Sequence, residues 1–247
     1  MDARGNADFV VTSQSTGSGP VLEGELRVDV PDLSLLPKVA GAPFAGHVLV
    51  SAEGTADLGR KTLAARAHVA GGDLSYGAHS VEDVTVVASA EGTPNHPLVD
   101  VGVHASTIAS GAQKIGVAEV RARVEPGAVT TFRDAHVDLV KDGVTLGASA
   151  ERVQVVGSRV LVEGALVTGL GEPIHADFSR TESEIRVKVD APSIDLERAA
   201  AVAGRPQSVR SGRLSLDGDV VLVRGSATGA VHARVSRCPP RSSTAAR

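Results

Sequence analysis

Eight histidines, one cysteine and 29 acidic side chains are the groups that could hold a metal or move a proton in this 247-residue chain. Their spacing favours neither. The closest two histidines, His96 and His104, lie eight positions apart, and no His-x-x-x-His or His-Glu pattern occurs. A single cysteine, Cys238, can complete neither a zinc site nor an internal disulfide. The nearest approach to a nucleophile elbow, Gly147-Ala-Ser-Ala-Glu151, lacks its second glycine and sits in a strand pattern. Gly17-Ser-Gly19 and Gly169-Leu-Gly171 are not extended to a third glycine, and no Gly-Lys-Ser/Thr exists to cradle a phosphate. No catalytic, cofactor-binding or metal-ligating residue is expected, and the chain does not read as an enzyme.

The carboxylates fall instead at alternating positions, as on a solvated sheet face. Ala118-Glu-Val-Arg-Ala-Arg-Val-Glu125 alternates apolar and polar over eight residues, the period-two signature of a strand with one face buried. Leu26–Val30, Val99–His104, Ile185–Asp190 and Val231–Ser236 do the same. Gly, Pro, Asn or Asp punctuates these runs every 8–12 residues or so, as in Glu91-Gly-Thr-Pro-Asn-His-Pro97 and Glu125-Pro-Gly127. The links are too short for crossovers, so the strands are antiparallel, and roughly 14–18 of them fit the length. One stretch breaks the rule. Ser193-Ile-Asp-Leu-Glu-Arg-Ala-Ala-Ala-Val-Ala-Gly204 offers a Ser N-cap, an acidic first turn and a terminal Gly, and predicts a short helix near 193–204.

Composition narrows the use of such a chain. Apolar residues make up 42% of it, which is too many for a disordered protein, and no run approaches the roughly 20 residues of a membrane-spanning helix. With 25 cations against 29 anions and almost no aromatics for stacking, a nucleic-acid partner is not expected. There are only four Phe, one Tyr and no Trp, against 38 Val and 35 Ala. Two explanations compete. One is a thin sheet-on-sheet core filled with small side chains. The other is an apolar surface left open and smooth for a flexible ligand.

The chain also repeats itself. Leu26-Arg-Val-Asp-Val-Pro-Asp-Leu-Ser-Leu-Leu is followed by Ala40-Gly-Ala-Pro43 and Gly46-His-Val-Leu-Val50. Much later, Ile185-Arg-Val-Lys-Val-Asp-Ala-Pro-Ser-Ile-Asp-Leu is followed by Ala203-Gly-Arg-Pro206 and Gly212-Arg-Leu-Ser-Leu216. A shorter rhythm, Gly77-Ala78, Gly111-Ala112 and Gly147-Ala148, predicts a hairpin turn at each pair.

At these paired units the sequence resembles the TamB/AsmA-like family of repeating β-groove envelope proteins. The resemblance is carried by Val189-Asp-Ala-Pro-Ser-Ile-Asp-Leu196, the Ala-rich run to Gly204, and Gly212-Arg-Leu-Ser-Leu-Asp-Gly-Asp-Val220. Asp73-Leu-Ser-Tyr-Gly77 and Val81-Glu-Asp-Val-Thr-Val86 fit the same pattern. It implies an all-β fold of antiparallel strands curled into an open U-shaped groove, apolar inside and polar outside, roughly 65–85 Å long at strand spacing.

The expected groove lining is Leu26, Val28, Val30, Val101, Val103, Val120, Ala122, Val124, Ile185, Val187, Val189, Leu214 and Leu216. The implied partners are phospholipid acyl chains moving between inner and outer membranes and an outer-membrane assembly barrel of the Omp85 kind. That places the protein in the periplasm, linked to outer-membrane and autotransporter protein assembly, with an inner-membrane anchor in the full-length family. The opening residues lack the basic head and apolar core of a secretory signal. Residues 1–20 read as a flexible or truncated segment, 21–236 as the repeat region, and 237–247 as a disordered tail, so the chain reads as a piece of a longer protein. The alternative is a secreted structural or adhesive β-solenoid or β-sandwich with a closed core.

Overall fold

The computed structural model describes residues 6–16, 19–35, 44–111, 113–205, 211–223 and 226–236. Fourteen strands form one antiparallel sheet whose spatial order is the sequence order. They are β1 (Asn6–Thr16), β2 (Gly19–Val30), β3 (Phe44–Asp57), β4 (Thr62–Tyr76), β5 (His79–Thr93), β6 (His96–Ser110), β7 (Gln113–Glu125), β8 (Thr130–Lys141), β9 (Val144–Val156), β10 (Arg159–Thr168), β11 (Ile174–Arg180), β12 (Glu184–Asp195), β13 (Arg213–Val223) and β14 (Ser226–Ser236). The sheet is open: β1 and β14 do not pair with each other. It curls into a groove with its aliphatic side inward, about 62 Å long at ~4.8 Å per strand step.

The short links dictate this topology. Eleven of the thirteen links have two to five residues and leave no choice but the antiparallel neighbour; the two longer ones, after β2 and β12, carry the helical turns. Asp142 and Gly143 show the local reason: both take positive φ, 50° and 77°, and close Lys141 onto Val144 as a primed hairpin turn. The expected turn at 77–78 is where β4 meets β5; of the one expected at 111–112, Gly111 follows β6 as a turn residue and Ala112 lies outside the described residues. Gly147-Ala148 is not a turn. It lies inside β9, because Asp142-Gly143 has already reversed the chain.

Strand pairing begins earlier than expected. Asn6–Thr16 pairs with β2 along its whole length, so the repeat region starts within the segment read as flexible. Residues 237–247, with Cys238, and the repeat elements at 40–43 and 206 lie outside the described residues. The two long repeat copies fold alike: each is a strand, a short helical turn and the next strand. In the first, β2 leads to a 3-10 turn at Leu33–Leu35; in the second, β12 leads to α1 (Leu196–Val202).

The helix N-cap is Asp195, not Ser193. Ser193 and Ile194 remain in β12, where Ile194 bridges to Gly171. The Asp195 carboxylate accepts the amides of Glu197 and Arg198 at 2.9 and 3.2 Å. At the other end Gly204 takes φ 71°, and Arg205 and Gly204 donate to the carbonyls of Ala200 and Ala201. That is the left-handed cap the terminal glycine predicts.

No second sheet covers the aliphatic face among the described residues. Among the described residues Ala105 and Ala191 are the buried apolar ones, and no large side chain is completely buried. The described residues form one open sheet and not two sheets packed face to face. No helix among the described residues is long and apolar enough to cross a membrane.

Candidate apolar groove

Strand register arranges the inward residues into rows that run across the strands, along the groove. One row crosses all fourteen. It begins Val11, Gly24, Gly54, Ala65, Ala90, Val99 and Val124, each opposite the next. It continues through Phe132, Val153, Val162 and Phe178 to Val187, Val220 and Gly229. Every member is Gly, Ala, Val or Phe. A second unbroken row runs Ala7, Val28, Val50, Val69, Val86, Val103, Val120, Val137, Ala148, Val167 and Ile174. Between them lies a third, from Phe9 and Leu26 through Ala52, Ala67 and Ala88 to Val101 and Ala122.

The expected lining residues fall on these rows or beside them. Val28, Val103 and Val120 share one; Leu26, Val101 and Ala122 share the next; Val124 and Val187 belong to the row that crosses every strand. Val189 stands opposite Ala176 and Gly218. Val30 pairs with Val48, Ile185 with Leu222, Leu214 with Ile194 and Val235, and Leu216 with Ala191 and Ala233. All are half-buried except Val120, which is 36% exposed.

Strict alternation fails at three places: in β12 the step is from Ala191 to Ile194, opposite Leu216 and Leu214, and at the other two the left-handed backbone compensates. On β4 to β7 the inward apolar residues step by three: Gly71 to Leu74, Val84 to Val81, Ala105 to Ile108, Ala118 to Ile115. A Cβ built on Gly71 would lie 2.9 Å from Leu74 and 3.1 Å from Val84, so these side chains share one face. Asp73 (φ 52°) and Thr107 (φ 47°) take the left-handed conformation that absorbs the extra residue. Across β8 to β10 Asp134 (φ 49°) and Gly164 (φ 62°) do the same. There Arg133-Asp134 and Glu151-Arg152 are consecutive outward residues, and the inward rows stay aliphatic.

Sequence reasoning did not single out the aromatics, yet all five lie on this face. Phe9 is in the third row, and Phe132 and Phe178 are in the row that crosses every strand. Phe44 stacks on Tyr76 with ring centroids 4.7 Å apart. With Leu33, Val48, Leu74 and Val81 this pair lines an apolar cavity of about 410 Å³ under the 3-10 turn. The signal available was their scarcity: four Phe and one Tyr among 247 residues.

The outer face is charged and paired. Arg123 Nε donates to Asp100 at 2.9 Å, Arg133 to Glu125 at 2.7 Å, and Arg152 lies 3.1 Å from Glu163. Arg186 grips Asp219 bidentately at 2.7 and 3.1 Å. Those hydrogen bonds hold the Asp219 carboxyl below the ordinary carboxylate range and raise the Arg186 guanidinium; Glu125 raises Arg133 in the same way. Near β1 to β5 a depression of about 560 Å³ gathers Glu23, Glu25, Glu53 and Glu91 around Arg66. Among the described residues no group of three or more His, Cys, Asp or Glu is placed to hold a metal ion. Such a molecule can offer a smooth aliphatic channel with a water-compatible exterior. Comparison with protein families, with curated proteins and with solved structures finds no match to this chain.

Proposed function

We propose that this chain is a non-enzymatic segment of a TamB/AsmA-like envelope protein whose groove carries phospholipid acyl chains across the periplasm. In this reading it serves lipid transport between inner and outer membranes, linked to outer-membrane and autotransporter protein assembly through an Omp85-like barrel. One observation carries it: an uncovered row of Gly, Ala, Val and Phe that crosses all fourteen strands without a polar member. A soluble domain ordinarily limits exposed apolar patches to a few hundred Å². A face of this extent calls for an apolar occupant. An acyl chain laid along the rows gains up to ~0.8 kcal/mol for each CH₂ removed from water. Val and Ala walls grip no single register, which suits sliding better than fixed binding.

The test is mass spectrometry of lipids extracted from the whole chain after purification from a bacterial envelope fraction without detergent. Stoichiometric phospholipid is expected, together with transfer of labelled phospholipid between vesicles. A protein that is lipid-free as purified and stays so after incubation with vesicles overturns the reading. Val120→Asp places a charge on a row at a site exposed enough to leave folding intact. It should lower transfer at least about threefold with an unchanged far-ultraviolet spectrum.

A further inference from the structure

The strand registers put the charges of the sheet on its outer face, with two exceptions of one sign. Followed to the ends of the strands, the inward positions carry no Asp or Glu among the described residues. They carry two cations. Arg180, the last residue of β11, stands opposite Val160 and Ile185, both on the aliphatic face. Lys141, the last residue of β8, lies two positions beyond Leu139 and opposite Val144. Because β8 and β11 run in opposite directions, the two cations sit at opposite rims of the groove.

The fold uses neither of them. Arg180 and Lys141 have no ion pair or side-chain hydrogen bond among the described residues. Glu184 follows Arg180 closely in the chain but stands on the outer face of β12, one position before Ile185. Glu182 and Asp142 lie in the adjoining turns and pair with neither cation. On the outer face, by contrast, Arg121, Arg123, Arg133, Arg152 and Arg186 each meet a carboxylate. The chain has 29 acids and 25 Lys and Arg, so a mere need for wet strand ends gives no reason for cations alone. Unpaired cations that border an aliphatic wall are complementary to an oxyanion on an aliphatic tail.

We propose that Arg180 and Lys141 are the headgroup contacts of the groove, one at each rim, each holding the phosphodiester of a phospholipid whose acyl chains lie on the rows. This rests on the lipid-carrying reading above and adds where the polar end of the cargo sits. At Arg180 the planar guanidinium offers parallel N–H donors to two phosphate oxygens. Phe178, two residues deeper on the same strand, belongs to the row that crosses every strand. A phosphate at Arg180 therefore sets its tail on that row. Lys141 is half-buried, as a long side chain is when its stem lies on apolar surface and its ammonium reaches water. It offers a point charge where Arg180 offers a fork. Both phosphates stay hydrated at the rim, so no charge is buried while the tails leave water.

The test offers the whole chain equal amounts of phosphatidylglycerol and diacylglycerol with the same acyl chains, delivered from cyclodextrin, and weighs the bound lipids by mass spectrometry. The ratio of phosphatidylglycerol to diacylglycerol should be at least about fivefold higher for the parent chain than for R180Q/K141Q. Total bound lipid should not change, and each single variant should fall between. Arg27→Gln, which removes an outer-face cation, should keep the parent ratio. Raised salt should erase the same preference in the unaltered chain, a readout that needs no variant. Equal ratios in the parent and the double variant, with both lipids bound, overturn this proposal and leave the groove reading standing. A parent chain that takes up neither lipid overturns both. If millimolar inorganic phosphate abolishes the preference, the rims serve free phosphate and the lipid assignment is overturned. Far-ultraviolet spectra of each variant separate a lost contact from lost folding.

Discussion

Arg186 and Asp219 sit diagonally on β12 and β13, on the face away from the groove, and make two parallel hydrogen bonds. Asp219 is the clearest place where one residue ties stability to pH. Its carboxyl is held low first by the hydrogen bonds from Arg186 and then by the positive charges of Arg186 and Lys188. A carboxyl depressed in the folded state contributes stability that is complete above its unfolded value and is lost as pH falls through the folded one. Asp219→Asn should therefore lower the melting temperature by a constant, small amount at neutral and mildly acidic pH. The gap to the parent chain should close as pH falls below the ordinary carboxylate range. Melting curves followed by circular dichroism at a series of pH values check this; a gap independent of pH counts against it. Pairs such as Arg123–Asp100 were legible in the sequence only as polar positions of alternating strands. Which acid meets which base depends on register, and register is a property of two strands at once.

Strands show where period two succeeds and where it stops. On β2, and on β12 as far as Ala191, the alternation Leu26, Val28, Val30 and Ile185, Val187, Val189 is uninterrupted, and inward and outward faces follow from the sequence alone. On β4 to β7 and β8 to β10 one residue in the left-handed conformation shifts the phase, and a count by twos then assigns the wrong face beyond it. Asp73 and Asp134 tolerate that conformation because a short polar side chain can bond locally. Thr107 is different. A β-branched residue at φ 47° is an outlier whose conformation costs roughly 1–2 kcal/mol. Thr107→Asn should recover part of this and raise stability by about 0.5–1 kcal/mol in urea titrations. A loss of stability instead would mean that the Thr107 hydroxyl or methyl holds the bulge. The helix follows the same logic. Its existence and its Gly204 end were legible from composition, whereas its start was displaced to Asp195 because β12 holds Ser193 and Ile194 in the sheet.

At the scale of the whole molecule, each strand pairs only with its neighbours in sequence, and among the described residues no second sheet packs across the groove, although α1 touches β9. The antiparallel sheet was legible because all but two of its links are too short to reach a distant strand. The aliphatic continuity of its rows was not, since it emerges only once thirteen registers are set in line. The same arrangement governs how the molecule comes apart. Stability is a sum of nearest-neighbour terms with no common core to make it all-or-none, as in other stacked repeats. The strongest stretch is β4 to β6, fifteen residues in each strand; the weakest interior point is β11, with seven residues beside a bulge in β10. Hydrogen exchange on the monomer should therefore be graded. Amides of β1 and β14 should open first, then those of β11 and its partners, and those of β5 last, with a spread of several kcal/mol among them. If β5, β11 and β14 instead exchange with one common free energy, the sheet is a single cooperative unit, and contacts across the groove must be holding it together.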